Sequence, residues 1–264
     1  MKFDAKILII AGSDPSGGAG IQADIKTACA AKVYSSAVIT CLTAQSTAKV
    51  FAIHNSPIGF LRAQLEAVLD DIEFDAIKIG MLGTLEIIDC VADVLDEKAK
   101  KIPLILDTVM VATSGDLLLQ KNAVEALKSS LISKSLVVTP NIDEAQVLAE
   151  MKIKNIEEMK LAASKIKALG AKNVLIKGGH LNFDDGKIHS IFLDEAQKFH
   201  RISNLRFGEK NIHGTGCTLA TSLACNVAKK INLLQSAKKA NSFVYSSIVK
   251  SLQVGKGSLV LRHF

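Results

Sequence analysis

Short apolar runs alternate with helix-forming segments along most of this chain, and this alternation limits its possible folds more than any other feature. The run KILIIA, which ends at Ala11, has no polar residue after its lysine, as expected of a strand buried on both faces. The segment AGIQADIKTACAAK follows with helical spacing. Further apolar runs are AVITCLTA, AIKIG, PLILD, SLVVTP and NVLIK, with helical segments between them. This order predicts right-handed crossovers and a mostly parallel α/β sheet with helices on both faces.

The end of the chain departs from this pattern. Two short β-type runs, IHSIFLD and KFHRISN, flank a tight polar connection around Glu195 and predict a small antiparallel hairpin at one edge of the sheet. Two final helices are expected, from about Gly214 to Lys230 and from about Leu233 to Leu252.

Composition narrows the class of protein. The 264 residues contain no linker-like tract, so residues 1–264 are expected to form one domain. The net charge is +6, and the Lys and Arg residues are scattered along helical faces and form no block. This argues against a nucleic-acid partner and favours a small anionic ligand. Five cysteines without a C-x-x-C pair indicate a reducing, cytoplasmic location. The apolar run near the N-terminus is too short for a signal peptide, and no segment suggests a membrane span.

In a parallel sheet, ligands collect where the strands end, so the residues just after each strand are candidates for the site. They are Gly12, Gln45, Met81, Asp107, Asn141, Glu144 and Lys177. Asn141 and Glu144 also match a capping box, so Glu144 is either a cap residue or a ligand. Lys177 could be solvated or could reach a phosphate oxygen, and His180 is expected at the surface.

The glycine-rich stretch GSDPSGGAGIQAD allows three interpretations. A Walker A loop is excluded, because Gly18 and Ala19 stand where Lys and Ser or Thr are required. A dinucleotide fingerprint fits Gly18 to Ala23, but six residues separate the strand from Gly18 and no acidic residue ends the next strand. The remaining interpretation is a glycine-lined wall against which a flat small molecule can lie.

A second glycine-rich turn, HGTGC, opens a helix at Gly214. Unpaired N–H groups and the positive end of the helix dipole make such a turn a site for an anion, commonly phosphate. The same field is expected to lower the pKa of the Cys217 thiol. Alternatively, the turn is a tight entry into a packed helix and Cys217 is a buried structural residue.

The motifs together resemble the hydroxymethylpyrimidine and phosphomethylpyrimidine kinase family of thiamine biosynthesis, within the ribokinase superfamily. The resemblance covers about Ala11 to Phe264, in the family's order. It rests on AGSDPSGGAGIQADIKT, KIGMLG, LDTVMVATSGDLLL, TPNIDEA, IKGGH, HGTGCTLA and GKGSLVLRHF. It implies a three-layer ribokinase-like fold, use of ATP and Mg²⁺, and a homodimer.

The resemblance also implies roles for individual residues. The positions expected around an aminopyrimidine are Gly12, Asp24, Gln45, Met81, Val109 and Cys217, with the Gln45 amide pairing with the ring edge. The anion hole for the transferred phosphoryl group would be Gly214, Thr215, Gly216 and Cys217. Asp107 and Glu144 would lie near Mg²⁺, and Lys177 near the ATP phosphates. Two residues depart from the usual pattern: Thr108 replaces a frequent Pro, and Ile212 replaces a frequent Thr that could contact phosphate.

The sequence therefore predicts a kinase that phosphorylates 4-amino-5-hydroxymethyl-2-methylpyrimidine and then its monophosphate. Cys217 is expected to serve as a general base for the first step, where the acceptor is a neutral alcohol. Three alternatives stay open at this point: a pyridoxal kinase on the same scaffold, a non-catalytic pyrimidine sensor, and a dinucleotide-dependent oxidoreductase.

Overall fold

A nine-stranded sheet forms the centre of the computed structural model, which describes residues 3–110, 122–208 and 212–264. Its strands are β1 (Lys6–Ser13), β2 (Tyr34–Gln45), β3 (Val50–Asn55), β4 (Ala76–Ile79), β5 (Leu104–Leu106), β6 (Val137–Val138), β7 (Asn173–Ile176), β8 (Lys187–Leu193) and β9 (Phe199–Leu205). The spatial order is β3-β2-β1-β4-β5-β6-β7-β8-β9. The six strands from β2 to β7 in that order are parallel, whereas β3, β8 and β9 pair antiparallel.

Eight α-helices connect the strands or follow them in the described residues. They are α1 (Gly20–Ala30), α2 (Ile58–Asp71), α3 (Leu85–Lys98), α4 (Ala123–Ala126), α5 (Ile142–Ala149), α6 (Ile156–Ala168), α7 (Thr215–Ala228) and α8 (Leu233–Val249). After α4 the chain continues as a π-helical turn, Leu127–Leu131, and a 3₁₀ turn, Ile132–Lys134. No helix in the described ranges is both long enough and apolar enough to cross a bilayer.

Side-chain alternation along the strands builds one apolar layer on each face of the sheet. Leu8 and Ile10 of β1 pack in the layer formed with α2, α3, α5 and α6. Ile7 and Ile9 point the opposite way, into the layer formed with α1, α7 and α8. A strand buried on both faces is therefore apolar throughout. This is why apolar runs that alternate with helical segments along the sequence predict a sheet with helices on both faces, and the prediction is confirmed.

The predicted edge hairpin is confirmed as β8 and β9, with Lys187 opposite Leu205 and Leu193 opposite Phe199. The opposite edge strand of the sheet, β3, pairs antiparallel with β2 and is not predicted by the sequence pattern. Five of the six β3 residues are exposed, so the strand has no buried face that would make apolar and polar residues alternate.

A two-stranded parallel pair ties the C-terminal tail to the turn before α7. It consists of β10 (Ile212–His213) and β11 (Leu259–Val260). The pairing fixes the residues that precede Gly214. Part of the motif LDTVMVATSGDLLL, residues 111–119, lies outside the described residues.

Candidate active site

A cavity of about 680 Å³ opens at the carboxyl ends of the parallel strands, as the strand order predicts. Every predicted site residue except Asp24 contributes to its wall. Those residues are Gly12, Gln45, Met81, Asp107, Val109, Glu144, Lys177, Gly214, Thr215, Gly216 and Cys217. They come from segments more than 200 positions apart, so the fold assembles one site from dispersed motifs.

The turn before α7 has the backbone geometry of an anion site. Gly214 is the N-cap with a φ of 82°, and no side chain caps the helix. A Cβ at this position would lie 1.9 Å from the carbonyl oxygen of Gly18, so only glycine fits. A Cβ on Gly216 would lie 3.2 Å from Lys177 Nζ and 3.4 Å from Asp107 Oδ2. The start of a fourteen-residue helix thus lies directly beside a lysine and an aspartate in the cavity wall.

Lys177 and Asp107 form an ion pair in this wall. The distance from Lys177 Nζ to Asp107 Oδ1 is 2.7 Å, and Thr139 Oγ1 donates to the same oxygen at 3.1 Å. Burial lowers the pKa of Lys177, but the attraction of Asp107 and Glu144 outweighs this effect and leaves the pKa raised. Lys177 is therefore positively charged at neutral pH and can attract a phosphate group.

Glu144 has the predicted capping role and also faces the cavity. Its carboxylate accepts from the Asn141 N–H at 2.8 Å, and the Glu144 N–H donates to Asn141 Oδ1 at 2.9 Å, which confirms the capping box at the start of α5. Thr108 Oγ1 donates to Glu144 at 3.2 Å. Burial raises the pKa of Glu144 to about 7, against the opposing attraction of Lys177.

Asp107 and Glu144 offer the oxygen donors that Mg²⁺ prefers. Both side chains line the cavity and attract Lys177, and Asp107 also lies close to the turn at Gly216. Within the described ranges, no group of three or more His, Cys, Asp or Glu residues could hold a metal by itself. Two carboxylates suffice where Mg²⁺ keeps several waters and shares phosphate oxygens with a nucleotide, so the residues fit a nucleotide-bound ion and not a closed protein site.

The pKa of the Cys217 thiol differs from the prediction. It is half-buried, and the Gly20 N–H at the start of α1 donates to its sulfur. Burial raises its pKa to about 11, although the nearby Lys78 ammonium lowers it. The expectation of a lowered pKa is therefore wrong for this structure, because desolvation of the thiolate outweighs the favourable charges around it.

Another part of the cavity wall is shaped for a flat ring. A Cβ on Gly12 would lie 2.8 Å from Cys41 Sγ and 3.4 Å from Met81 Sδ, so the glycine leaves the wall smooth above two sulfur atoms. Gln45 and Val109 also line the cavity, with an amide and an apolar side chain respectively.

Asp24 lies outside the cavity, contrary to the prediction that it surrounds the substrate. Its fully buried side chain accepts from Lys78 Nζ at 2.7 Å and from Thr221 Oγ1 at 2.6 Å. Because Asp24 lies one turn beyond the start of α1, its carboxylate is beneath the floor of the site. It joins β4, α1 and α7 there and cannot contact a ligand in the cavity.

Two further cavity residues were not selected from the sequence. His213 Nε2 lies 3.0 Å from Asp14 Oδ2 and 3.0 Å from Gln45 Nε2. Asp14 lies in the motif GSDPSGG and His213 in HGTGC, where the glycines define the backbone turns. A polar side chain within each glycine-rich motif is the only indication of these two residues in the sequence.

The fold and the site define a phosphotransferase of the ribokinase-like class. A solved structure of Staphylococcus aureus pyridoxal kinase with AMP-PCP and pyridoxal aligns with a TM-score of 0.90 at 33% identity, covering 100% of this chain and 94% of that one. The phosphomethylpyrimidine kinase of Clostridium difficile 630 aligns with a TM-score of 0.81 at 36% identity, covering 92% and 99%. The first of these complexes supports ATP as the phosphoryl donor.

Sequence comparison identifies the family. The sequence model described as phosphomethylpyrimidine kinase matches residues 14–262. The hydroxymethylpyrimidine/phosphomethylpyrimidine kinase of Haemophilus influenzae is 42% identical over 98% of this chain and 96% of its own length. The Bacillus subtilis enzyme of the same name is 39% identical over 98% and 94%. The chain belongs to the phosphomethylpyrimidine kinase family, and it is an enzyme that transfers a phosphoryl group.

Proposed function

We propose that this enzyme uses ATP and Mg²⁺ to phosphorylate 4-amino-5-hydroxymethyl-2-methylpyrimidine and then its monophosphate, in thiamine biosynthesis. The observation that carries the proposal is that one cavity combines two kinds of wall. Gln45 offers an amide beside the glycine and sulfur atoms of Gly12 and Met81, while the turn at Gly214 and Lys177 offer N–H groups and positive charge. A ring fits the first set of groups and a phosphoryl group fits the second.

The chain's own groups supply most of what phosphoryl transfer needs. Its transition state is loose, so catalysis depends on alignment and on neutralising charge at the equatorial oxygens. The uncapped N–H groups that begin α7 and the Lys177 ammonium lie on one side of the cavity for that purpose. Asp107 and Glu144 would hold Mg²⁺, which when bound supplies positive charge at the phosphate oxygens.

Cys217 does not need to be ionised in this scheme. A thiol with a pKa raised to about 11 is protonated near neutral pH. A loose transition state requires little proton removal from the acceptor alcohol, so the thiol can contribute a soft, neutral surface beside the reacting group. This replaces the expectation that Cys217 is a general base.

The second candidate is a pyridoxal kinase, because the Staphylococcus aureus pyridoxal kinase shares the fold at a TM-score of 0.90. The test is to incubate the enzyme with ATP and Mg²⁺ and, separately, the pyrimidine, its monophosphate and pyridoxal, and to compare kcat/KM by mass-resolved product analysis. Phosphorylation of both pyrimidines with the higher kcat/KM supports the proposal. A higher value for pyridoxal favours the second candidate, and binding without turnover indicates a sensor.

We also propose that the chain works as one domain, as a homodimer and in the cytoplasm. Exposed apolar side chains at the β2–β3 edge and the start of α2 support a second copy as partner: Leu42, Phe51, Ile53, Ile58 and Phe60. All five cysteines are free, which suits a reducing compartment. Light scattering coupled to size exclusion measures the assembly, and a monomeric mass at micromolar concentration would contradict it.

A further inference from the structure

A hydrogen-bonded row of side chains runs along the cavity wall from the glycine-rich loop before α1 to β2. It consists of Asp14, His213 and Gln45, and it ends at Thr43 on β2. All four residues line the cavity. Nothing in the phosphoryl-transfer scheme above uses Asp14 or His213, so their arrangement needs a separate explanation.

The imidazole of His213 is held in one place by its surroundings. A Cβ on Gly18 would lie 2.5 Å from His213 Cδ2, so the ring packs directly on this glycine. His213 is also part of β10 and pairs with Val260 of the C-terminal tail. The Nε2 atom therefore points at Asp14 and Gln45 with little freedom to move.

Asp14 determines which His213 nitrogen carries a proton. Its carboxylate accepts from the Ser16 N–H at 2.9 Å, the Ser16 hydroxyl at 3.0 Å and the Ala19 N–H at 2.8 Å. Burial alone would raise the pKa of Asp14, but the hydrogen bonds from His213, Ser16 and Ala19 lower it below its usual value. A carboxylate only accepts, so His213 Nε2, 3.0 Å from Asp14 Oδ2, must carry a hydrogen in either the neutral or the charged ring.

That hydrogen has a consequence for Gln45. The Gln45 atom 3.0 Å from His213 Nε2 is placed as the amide nitrogen, which would set two donors against each other. An amide can be turned by half a rotation with almost no change in atom positions, and the hydrogen-bond partners decide between the two orientations. Beside His213, the acceptor Oε1 can share the Nε2 hydrogen with Asp14 in a bifurcated bond, whereas the amide nitrogen would set two donors against each other.

The contact between Thr43 and the other polar atom of Gln45 requires the same orientation of the amide. Its hydroxyl lies 3.0 Å from the Ser13 carbonyl oxygen and 3.1 Å from the Gln45 atom placed as Oε1. A hydroxyl has one hydrogen, and the Ser13 carbonyl can only accept it. Thr43 Oγ1 is then an acceptor toward Gln45, so the amide atom beside it must be Nε2.

We propose that Asp14 and His213 are positioning residues that fix the Gln45 amide with Oε1 toward His213 and Nε2 toward Thr43. One lone pair of Oε1 and one hydrogen of Nε2 stay available on the cavity side. The amide therefore presents an acceptor near His213 and a donor near Thr43.

This orientation selects a ring by its edge, and this step rests on the proposed function. In the aminopyrimidine an amino group, which donates, is adjacent to a ring nitrogen, which accepts. The ring must then bind with its amino group toward His213 and its nitrogen toward Thr43. In pyridoxal the hydroxyl group and the ring nitrogen are separated by a methyl-bearing carbon, so that edge cannot pair with both amide atoms.

The protonation of His213 can be measured directly on the whole enzyme. Long-range ¹H–¹⁵N spectra of histidine-labelled protein, with His213 assigned through the His213→Gln variant, distinguish the ring forms. A hydrogen on Nε2, in the neutral or charged ring, supports the proposal. A neutral ring with its only hydrogen on Nδ1 overturns it, whichever substrate the enzyme uses.

A kinetic double-mutant cycle tests whether His213 acts through Gln45. His213→Leu should raise the KM for the aminopyrimidine about tenfold, which corresponds to about 1.4 kcal/mol. The KM for ATP and kcat should change by less than about threefold. In a Gln45→Ala background the same substitution should add less than about twofold, and His213→Gln, which retains an N–H donor, should recover most of the loss.

The control is His54→Gln, which alters an exposed histidine on β3 away from the cavity and should leave all constants unchanged. Equal effects of His213→Leu with and without Gln45 would overturn the proposal, since a general structural role gives additive losses. If His213→Leu does not fold, the ring measurement on the unaltered enzyme decides. If the unaltered enzyme does not phosphorylate the pyrimidine, the proposed function fails and the ring measurement still tests the amide orientation.

Discussion

Replacing Lys78 by methionine should destabilise the enzyme strongly, because it leaves the Asp24 carboxylate without its counter-ion. The side chains of Lys78 and Asp24 are both fully buried, and Nζ lies 2.7 Å from Oδ2. Burial lowers the pKa of Lys78, but attraction to Asp24 outweighs it and leaves the pKa raised, so the lysine is charged. Thr221 supplies the other hydrogen bond to Asp24 at 2.6 Å.

Removing one member of a buried ion pair costs about 3–5 kcal/mol, because the remaining charge stays in a region without water. For a chain of this size, that loss corresponds to a fall in Tm of about 10 °C. The Thr221 hydroxyl offsets part of the cost, so we expect Lys78→Met near the lower end of the range. Urea unfolding followed by circular dichroism gives the free energy of unfolding.

Two comparisons separate this mechanism from a general loss of packing. Lys98→Met removes an exposed pair with Asp70 and should cost less than about 1 kcal/mol. The double variant Asp24→Leu with Lys78→Met removes both charges, so it should be more stable than the sum of the single losses predicts. A loss below about 1 kcal/mol for Lys78→Met, or strict additivity in the double variant, would refute the reasoning.

Three further predictions concern the site and the tail. Glu144→Gln should keep the capping box and the Tm but raise the Mg²⁺ concentration for half-maximal activity, whereas Asn141→Ala should cost about 1 kcal/mol of stability; a lowered Tm with an unchanged Mg²⁺ requirement in Glu144→Gln would assign Glu144 to the cap alone. Cys217→Ser should slow the alcohol and monophosphate steps by similar factors, below about tenfold, because the thiol has a pKa raised to about 11; single-turnover rates would contradict this if only the alcohol step slowed by about 10² or more. His263 lies beside Thr218 of α7, and burial lowers its pKa to about 4, so the native state favours the neutral ring. The stability that depends on the neutral His263 ring, about 3 kcal/mol, is fully present above about pH 6.5 and is lost as the pH falls toward about 4, so urea titrations should show a weaker acid dependence in His263→Gln.

The sequence by itself determined the layered fold and eleven of the residues that line the cavity. Strands buried on both faces must be apolar throughout, and their ends must meet at one edge, so Gly12, Asp107 and Lys177 could be assigned to one site without coordinates. The capping box at Asn141 was equally local, because its partners are three residues apart. Contacts between residues that are close in the sequence, and positions that follow from the order of the strands, can be recognised as patterns in the sequence.

The tertiary structure alone decided the features that depend on depth and on distant partners. Asp24 follows the glycine-rich loop and resembles a site residue, but its ion pair with Lys78, 54 positions away, places it beneath the floor. The pKa of Cys217 is raised because desolvation depends on everything packed around the thiol, not on the helix that carries it. His213 meets Asp14 across 199 positions, so no local pattern could show that these two side chains orient Gln45.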